Sequence, residues 1–212
     1  MKKNKIMRLA SGLLVAVLLT TCAISGTFAK YVTTGSGTDT ARVAKWGVYV
    51  DATGVTAFED EYGATVKADT ADEKIVAPGT DGEFGKFVIN GQPEVSTRVT
   101  YDASVTLTGW TVGTDFYCPI WIYVNGVKVD TSACTTAAQY SEAVSAAVKA
   151  VSATFDPNTA INTNALTVEW YWPFSTGDAN DAKDTILGNQ NATDKNTNKI
   201  SVTINVTITQ VD

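Results

Sequence analysis

The run ISVTINVTITQV alternates without a break. Ile200, Val202, Ile204, Val206 and Ile208 fall on one face, and Ser201, Thr203, Asn205, Thr207 and Thr209 on the other. Strict period two carried by β-branched residues predicts an antiparallel strand with one dry and one solvated face. The segment PEVSTRVTYDASVTLTGW repeats the pattern, with Val95, Val99, Tyr101, Ala103, Val105 and Leu107 against Ser96, Arg98, Thr100, Asp102, Ser104, Thr106 and Thr108. IWIYVNGVKVD predicts a hairpin, because Asn125-Gly126 supplies the two positive φ angles of a type I′ turn between alternating arms. Asn90-Gly91 is a second turn candidate, and APGTDGEF is a Gly/Pro turn feeding a strand from Phe84 to Ile89.

One segment departs from this rhythm. TTAAQYSEAVSAAVKAVSATF is rich in alanine and spaces Tyr140, Val144, Ala147, Val148 and Val151 by three and four. Thr135 or Thr136 can cap its start, and Asp156-Pro157-Asn158 follows its end, so an amphipathic helix is predicted at about 136 to 152. Seven or more strands with one inserted helix predict a mainly β fold: an antiparallel β-sandwich, Ig-like or jelly-roll, as a single domain over 46–212.

The other end of the chain reads differently. Lys2, Lys3, Lys5 and Arg8 form a basic start, Leu9 to Ile24 is an almost continuous apolar run, and small residues lead to Thr27-Phe28-Ala29. That order predicts a secretory signal peptide over 1–29, cut between Ala29 and Lys30. A retained transmembrane anchor is the competing reading, since the run approaches the ~18–20 residues that span a bilayer. A lipidated Cys22 is disfavoured by the bulk of Thr21. The signal holds basic but no acidic residues, so its removal makes the formal net charge of −6 more negative. An acidic chain has no electrostatic footprint for nucleic acid. The C-terminal TITQVD carries no sorting tail, so no membrane attachment is expected after cleavage. Cys118 and Cys134 either pair in an oxidising compartment or stand as two free buried thiols, and their spacing does not decide between these.

Catalytic chemistry finds little to use. The chain has no histidine, which removes the Ser-His-Asp triad, the Cys-His pair and the HExxH zinc site. No phosphate-binding or dinucleotide motif is present, so no enzyme activity and no cofactor are predicted. Glu59-Asp60-Glu61 reads as a solvated charge cluster. Asp178, Asp181 and Asp184 offer oxygens to calcium but lack the spacing of an EF-hand loop, and a solvated loop is the favoured reading there. In VEWYWPF, Trp170, Trp172 and Phe174 share one strand face. They either stack on the sugar rings of an extracellular polysaccharide or fill the core, where large rings bury the most area. Core packing is the favoured reading.

Between signal and sheet lies KYVTTGSGTDT, polar and Gly-rich, in which Tyr31 and Val32, with Val43 beyond, are the residues able to make strand contacts. The order basic start, apolar run, Gly26-Thr27-Phe28-Ala29, short arm, then a strand near Ala41 to Val50 resembles the TasA/camelysin family of Gram-positive biofilm-matrix proteins. IVAPGTDGEF and VEWYWPFSTGDANDAKDTILGN are similar to segments of related secreted proteins. The likeness covers 26–50, with patches at 75–95 and 168–212, and no match is made over 110–165. It implies export through a SipW-type signal peptidase, with Thr27, Phe28, Ala29 and Lys30 at the cut. It also implies a jelly-roll subunit of a secreted, extracellular fibre whose arm, 30–45, inserts as a strand into the next copy. The partner is then the chain itself, joined head to tail, because heterologous contacts build filaments. A terminus with no partner is the plain alternative for the arm. Some camelysin relatives are described as metallopeptidases; without histidine or a recognisable zinc motif that activity is not carried over, and a secreted metallopeptidase stands only as a remote alternative.

Overall fold

The computed structural model describes residues 41–211 apart from 54–56, 72, 163, 164, 176 and 196. Contacts divide the chain into Met1–Arg42 and Val43–Asp212, and the second unit carries the fold. The residues assigned to signal cleavage and the start of the arm, Thr27, Phe28, Ala29, Lys30, Tyr31 and Val32, lie outside the described residues.

The fold is mainly β, with antiparallel sheets compatible with a sandwich. Among the described residues one sheet has five strands in the order β1 (Tyr49–Thr53), β4 (Asp81–Asn90), β11 (Leu166–Tyr171), β8 (Trp121–Val124), β9 (Val127–Lys128). The second has three: β10 (Ala153–Phe155), β5 (Thr97–Thr108) and β12 (Lys199–Gln210). Two small hairpins, β2–β3 (Glu61–Tyr62, Val66–Lys67) and β6–β7 (Thr111–Val112, Asp115–Phe116), decorate them. Both large sheets contribute to one hydrophobic core, with Phe84, Ile89, Ile122, Leu166, Val168 and Trp170 from the first and Val99, Tyr101, Ala103 and Val105 from the second. The alternation read from the sequence is therefore the inside–outside alternation of β5. In the β8–β9 hairpin Asn125 and Gly126 have φ of 49° and 75°, the pair of left-handed conformations that a type I′ turn needs. Asn90-Gly91 instead closes β4, and the chain then passes to β5 in the other sheet.

The predicted helix is α1, Ala137–Lys149. Thr136 caps it, its hydroxyl accepting from the Gln139 N–H at 3.2 Å, while the Gln139 side-chain oxygen accepts from the Thr135 N–H at 2.8 Å. Tyr140, Val144 and Val148 are its buried stripe. It ends before the expected residue 152, because the chain from Ser152 turns to join β5 as β10.

Two expectations are corrected. A strand near Ala41 to Val50 is found as β1, which begins eight residues later, at Tyr49, and runs on to Thr53: among the described residues none from Ala41 to Val48 is strand, and Gly47 bends the chain at φ 51°. The Asp178–Asp184 loop is instead the start of a second helix, α2, Asp178–Thr193. Its sequence shows almost no apolar periodicity, since Leu187 is the one fully buried aliphatic residue it contributes to the core. Polar anchors hold the rest: Asp184 to Tyr117 and Trp172, Gln190 to the Thr111 carbonyl, and Asn191 to Asn198.

Candidate assembly edge

The small sheet treats its two edges differently, and the difference starts from helix α1. Beside β10, which covers only the first residues of β5, α1 runs along the same edge. The Val105 N–H donates to the Ser141 hydroxyl at 2.9 Å and the Tyr101 N–H to the Ser152 hydroxyl at 3.0 Å. Between them Ser145 and Lys149 engage the Asp102 carboxylate at 3.3 and 3.1 Å, and the charge pairing holds that carboxyl below its ordinary value, with the Lys149 hydrogen bond the largest cause. The serines thus stand in for the acceptors of a missing strand, so on this edge of β5 the Tyr101 and Val105 donors are satisfied.

The opposite edge is β12, and its backbone directions follow from the same two hydrogen bonds. In an antiparallel ladder, residues alternate between pointing both backbone groups at one neighbour and both at the other. Tyr101 and Val105 point theirs toward α1, so the even residues of β5 bond β12. Their partners are the odd ones, as in Ser104↔Thr203 and Asp102↔Asn205. The Val211 N–H, also odd, accordingly turns inward to the Ser96 carbonyl at 2.9 Å. Ile200, Val202, Ile204, Val206 and Ile208 therefore aim their N–H and C=O groups away from β5. Among the described residues no strand pairs with them.

These same five residues carry the inward side chains, and all five are only half buried. A space of about 380 Å³ lies beside them between the sheets, lined by Phe58, Phe84, Phe87, Val202 and Ile204. A larger one of about 680 Å³ continues it at Phe58, Lys74 and Ile200 toward Trp110, Trp172 and α2. β12 runs 12 residues without Pro, Gly or, after Lys199, any charge. Proteins usually blunt such an edge with a lysine, a proline, a bulge or a short strand. The edges of the other large sheet are shorter, five residues in β1 and two in β9.

The residues singled out from sequence land as follows. Trp170 is 1% exposed, with its indole N–H donating to the Ala57 carbonyl at 2.7 Å and its ring against Phe58 at 5.4 Å. Trp172 is 5% exposed, beside Trp110 at 5.6 Å, and donates to Asp184 at 3.2 Å. Buried on both faces, neither offers a ring to a sugar, which corrects the glycan-stacking role for this pair. Phe174 does not share their surroundings: the strand ends at Tyr171, Pro173 follows, and the Phe174 side chain is 73% exposed. Cys118 and Cys134 are free thiols. Burial pushes Cys118 up to about 12 and raises Cys134 as well, so little of either is the reactive thiolate at neutral pH.

Asp184 is buried and spent structurally. Both its oxygens accept hydrogen bonds, from the Tyr117 hydroxyl at 2.8 Å and from the Trp172 indole. Burial raises its carboxyl above the ordinary value despite those two donors. Among the described residues no group of three or more His, Cys, Asp or Glu side chains is gathered to hold a metal ion, and no helix there is long and apolar enough to cross a membrane. Asp60 and Glu61 pair with Lys74 and Lys67 at 3.5 and 2.7 Å on the surface. Val43, the last arm residue singled out, is 92% exposed. Two residues further on, Lys45 is tied to Glu94: its N–H donates to the Glu94 carboxylate at 3.0 Å and its carbonyl accepts from the Glu94 N–H at 2.9 Å.

Sequence reasoning leads to an exposed sheet edge without naming β12 as that edge, although one signal was available: an uncharged, β-branched run of this length with no gatekeeper inside it. No protein-family model matches the chain, and comparison with characterised proteins and with solved structures finds no similar one.

Proposed function

We propose that this chain is an exported structural subunit that builds an extracellular fibre or matrix by strand addition, the N-terminal arm of one copy pairing with an open sheet edge of the next. The observation that carries the reading is the β12 edge, 12 residues long and open along its outer side among the described residues. Strand addition draws its affinity from main-chain hydrogen bonds and its specificity from side-chain pockets, and β12 presents outward backbone groups beside an apolar groove. In this reading the sheets form a jelly-roll-like sandwich with one strand position left for another molecule. Cleavage of the signal by a SipW-type peptidase after Thr27-Phe28-Ala29 frees Lys30 and the arm behind it, so assembly waits for export. Arm and edge lie on different parts of each copy, so the contact is heterologous and propagates.

The test uses the mature chain beginning at Lys30. Negative-stain microscopy and sedimentation are expected to show filaments whose amount rises with protein concentration, and only monomers once residues 30–40 are deleted. Mature protein that stays monomeric at every concentration and salt tried would remove the reading.

A further inference from the structure

We infer that the groove beside the first half of β12 is the seat of one side chain, Tyr31 of a second copy, and that the arm lies parallel to β12. This rests on the strand-addition reading above and names its anchor. The groove is rich in aromatic rings: Phe58 and Phe84 stand edge to face at 5.3 Å, and Phe87, Val202 and Ile204 lie beside them in the lining. Its volume of about 380 Å³ is ample for one aromatic side chain. From Lys30 to Arg42 the chain contains one aromatic residue, Tyr31, and one branched aliphatic, Val32. Adjacent strand residues face opposite ways, so only one of the two enters.

Length fixes the direction. Lys30 to Arg42 in extended form reaches about 43 Å, and β12 about 40 Å, at roughly 3.3 Å per residue. With Tyr31 beside Val202, an antiparallel arm would run off the start of β12 after about three residues. A parallel arm follows β12 to its end. Its inward positions are then Thr33 beside Ile204, Gly35 beside Val206, Gly37 beside Ile208 and Asp39 beside Gln210. The groove opens at Ile200, Val202 and Ile204 and is not lined by Val206 or Ile208. Glycines therefore stand beside the two residues that do not line the groove, and the one carboxylate reaches the exposed end of β12. The hydroxyl of Tyr31 can reach the polar continuation of the groove, where Lys74 lies between the two spaces.

The experiment compares mature wild type with Tyr31→Ala, Tyr31→Phe, Val32→Ala and the 30–40 deletion by the concentration at which filaments appear. Tyr31→Ala is expected to raise it about 30-fold, the size of an interface hot spot, while Tyr31→Phe and Val32→Ala shift it by less than about 3-fold, within the range of ordinary contacts. A photoreactive benzoylphenylalanine at position 31, in filaments mixed from light and heavy copies, is expected to label the neighbour's Phe84–Phe87 or Val202–Ile204 peptide. The same probe at position 38 is expected to label near Ile208. Labelling near Lys199 from position 38 would overturn the parallel arrangement. If the deletion abolishes filaments but Tyr31→Ala does not, the seat is wrong and strand addition stands. If the deletion leaves filaments intact, strand addition itself fails.

Discussion

Proline placed on successive residues of β12 tests the edge directly, because the backbone directions make opposite demands on neighbours. Val206 aims its N–H outward, whereas Asn205 is paired with Asp102 of β5. Proline has no N–H and locks φ near −65°. Val206→Pro therefore leaves the ladder to β5 whole and keeps a side chain of similar size facing the core. Its expected cost is about 1 kcal/mol, for the part of a half-buried valine that returns to water. Asn205→Pro removes a ladder hydrogen bond, leaves the Asp102 carbonyl without its strand partner and pushes a ring at β5. That substitution is expected to cost at least about 3 kcal/mol.

The difference of about 2 kcal/mol corresponds to a melting temperature lower by roughly 4–8 °C for Asn205→Pro in a chain of this size. Thermal melts of the arm-deleted monomer read it without interference from assembly. In full mature protein Val206→Pro is expected to raise the onset concentration of filaments on the order of tenfold, through one lost edge donor and the ring in its place. Equal melting temperatures for the two variants, or a milder Asn205→Pro, would mean that the directions inferred from Ser141 and Ser152 are reversed. Filaments of Val206→Pro at the wild-type concentration would show that this edge is not the interface.

Three further outcomes follow from the same structure. Trp170→Ala and Trp172→Ala are each expected to destabilise the fold by about 3–5 kcal/mol, the range for emptying a large aromatic site; chemical denaturation of each variant measures this, and a folded variant of wild-type stability would return the rings to the surface. Ser141→Ala leaves the Val105 N–H without its acceptor and is expected to cost about 1–3 kcal/mol, whereas Ser141→Thr keeps the hydroxyl and most of the stability in the same assay. The carboxyl of Asp184 is raised on folding, mainly by burial, so its favourable contribution is full below the unfolded value of 3.8 and is lost as pH rises through the higher folded value; a stability–pH curve that rises with pH across that window in wild type, by comparison with Asp184→Asn, would contradict the sign.

What could be read from sequence was whatever depends on strong periodicity. β5 and β12 follow from β-branched alternation, the β8–β9 turn from the conformational preferences of Asn125 and Gly126, and α1 from Tyr140, Val144 and Val148 at helical spacing capped by Thr136. α2 escaped because its contacts are polar and long in sequence: Asp184 meets Tyr117, and Gln190 meets the Thr111 carbonyl 79 positions away. Nothing local announces such partners, and GDANDAKD has the composition of a loop. Trp170 and Trp172 showed the reverse difficulty. A strand bearing large rings on one face fits a sugar platform and a core equally well, and only the placement of Phe58, Tyr62 and Trp110 around them decides.

The contrast between the two edges of the small sheet also explains why the β12 pattern is hard to interpret alone. Alternation specifies which side chains face the core and says nothing about which backbone groups are left over, since both edges of a strand share it. That information came from two serines, Ser141 on α1 and Ser152 just beyond its end, whose hydroxyls occupy one side of β5 and thereby assign every residue of β12 a direction. Once assigned, three of the residues with outward backbone groups, Ile200, Val202 and Ile204, prove to be ones whose side chains border the groove. An added strand would bond Ile200 to Ile208 and cover their half-exposed aliphatic surface in the same step. Hydrogen bonding and apolar burial then reward the same register, and a slip by one residue forfeits both. An edge built only to be tolerated would gain from a single lysine on this row, at little loss of core. Its five positions are Ile, Val, Ile, Val and Ile, the composition that favours a partner strand over solvent.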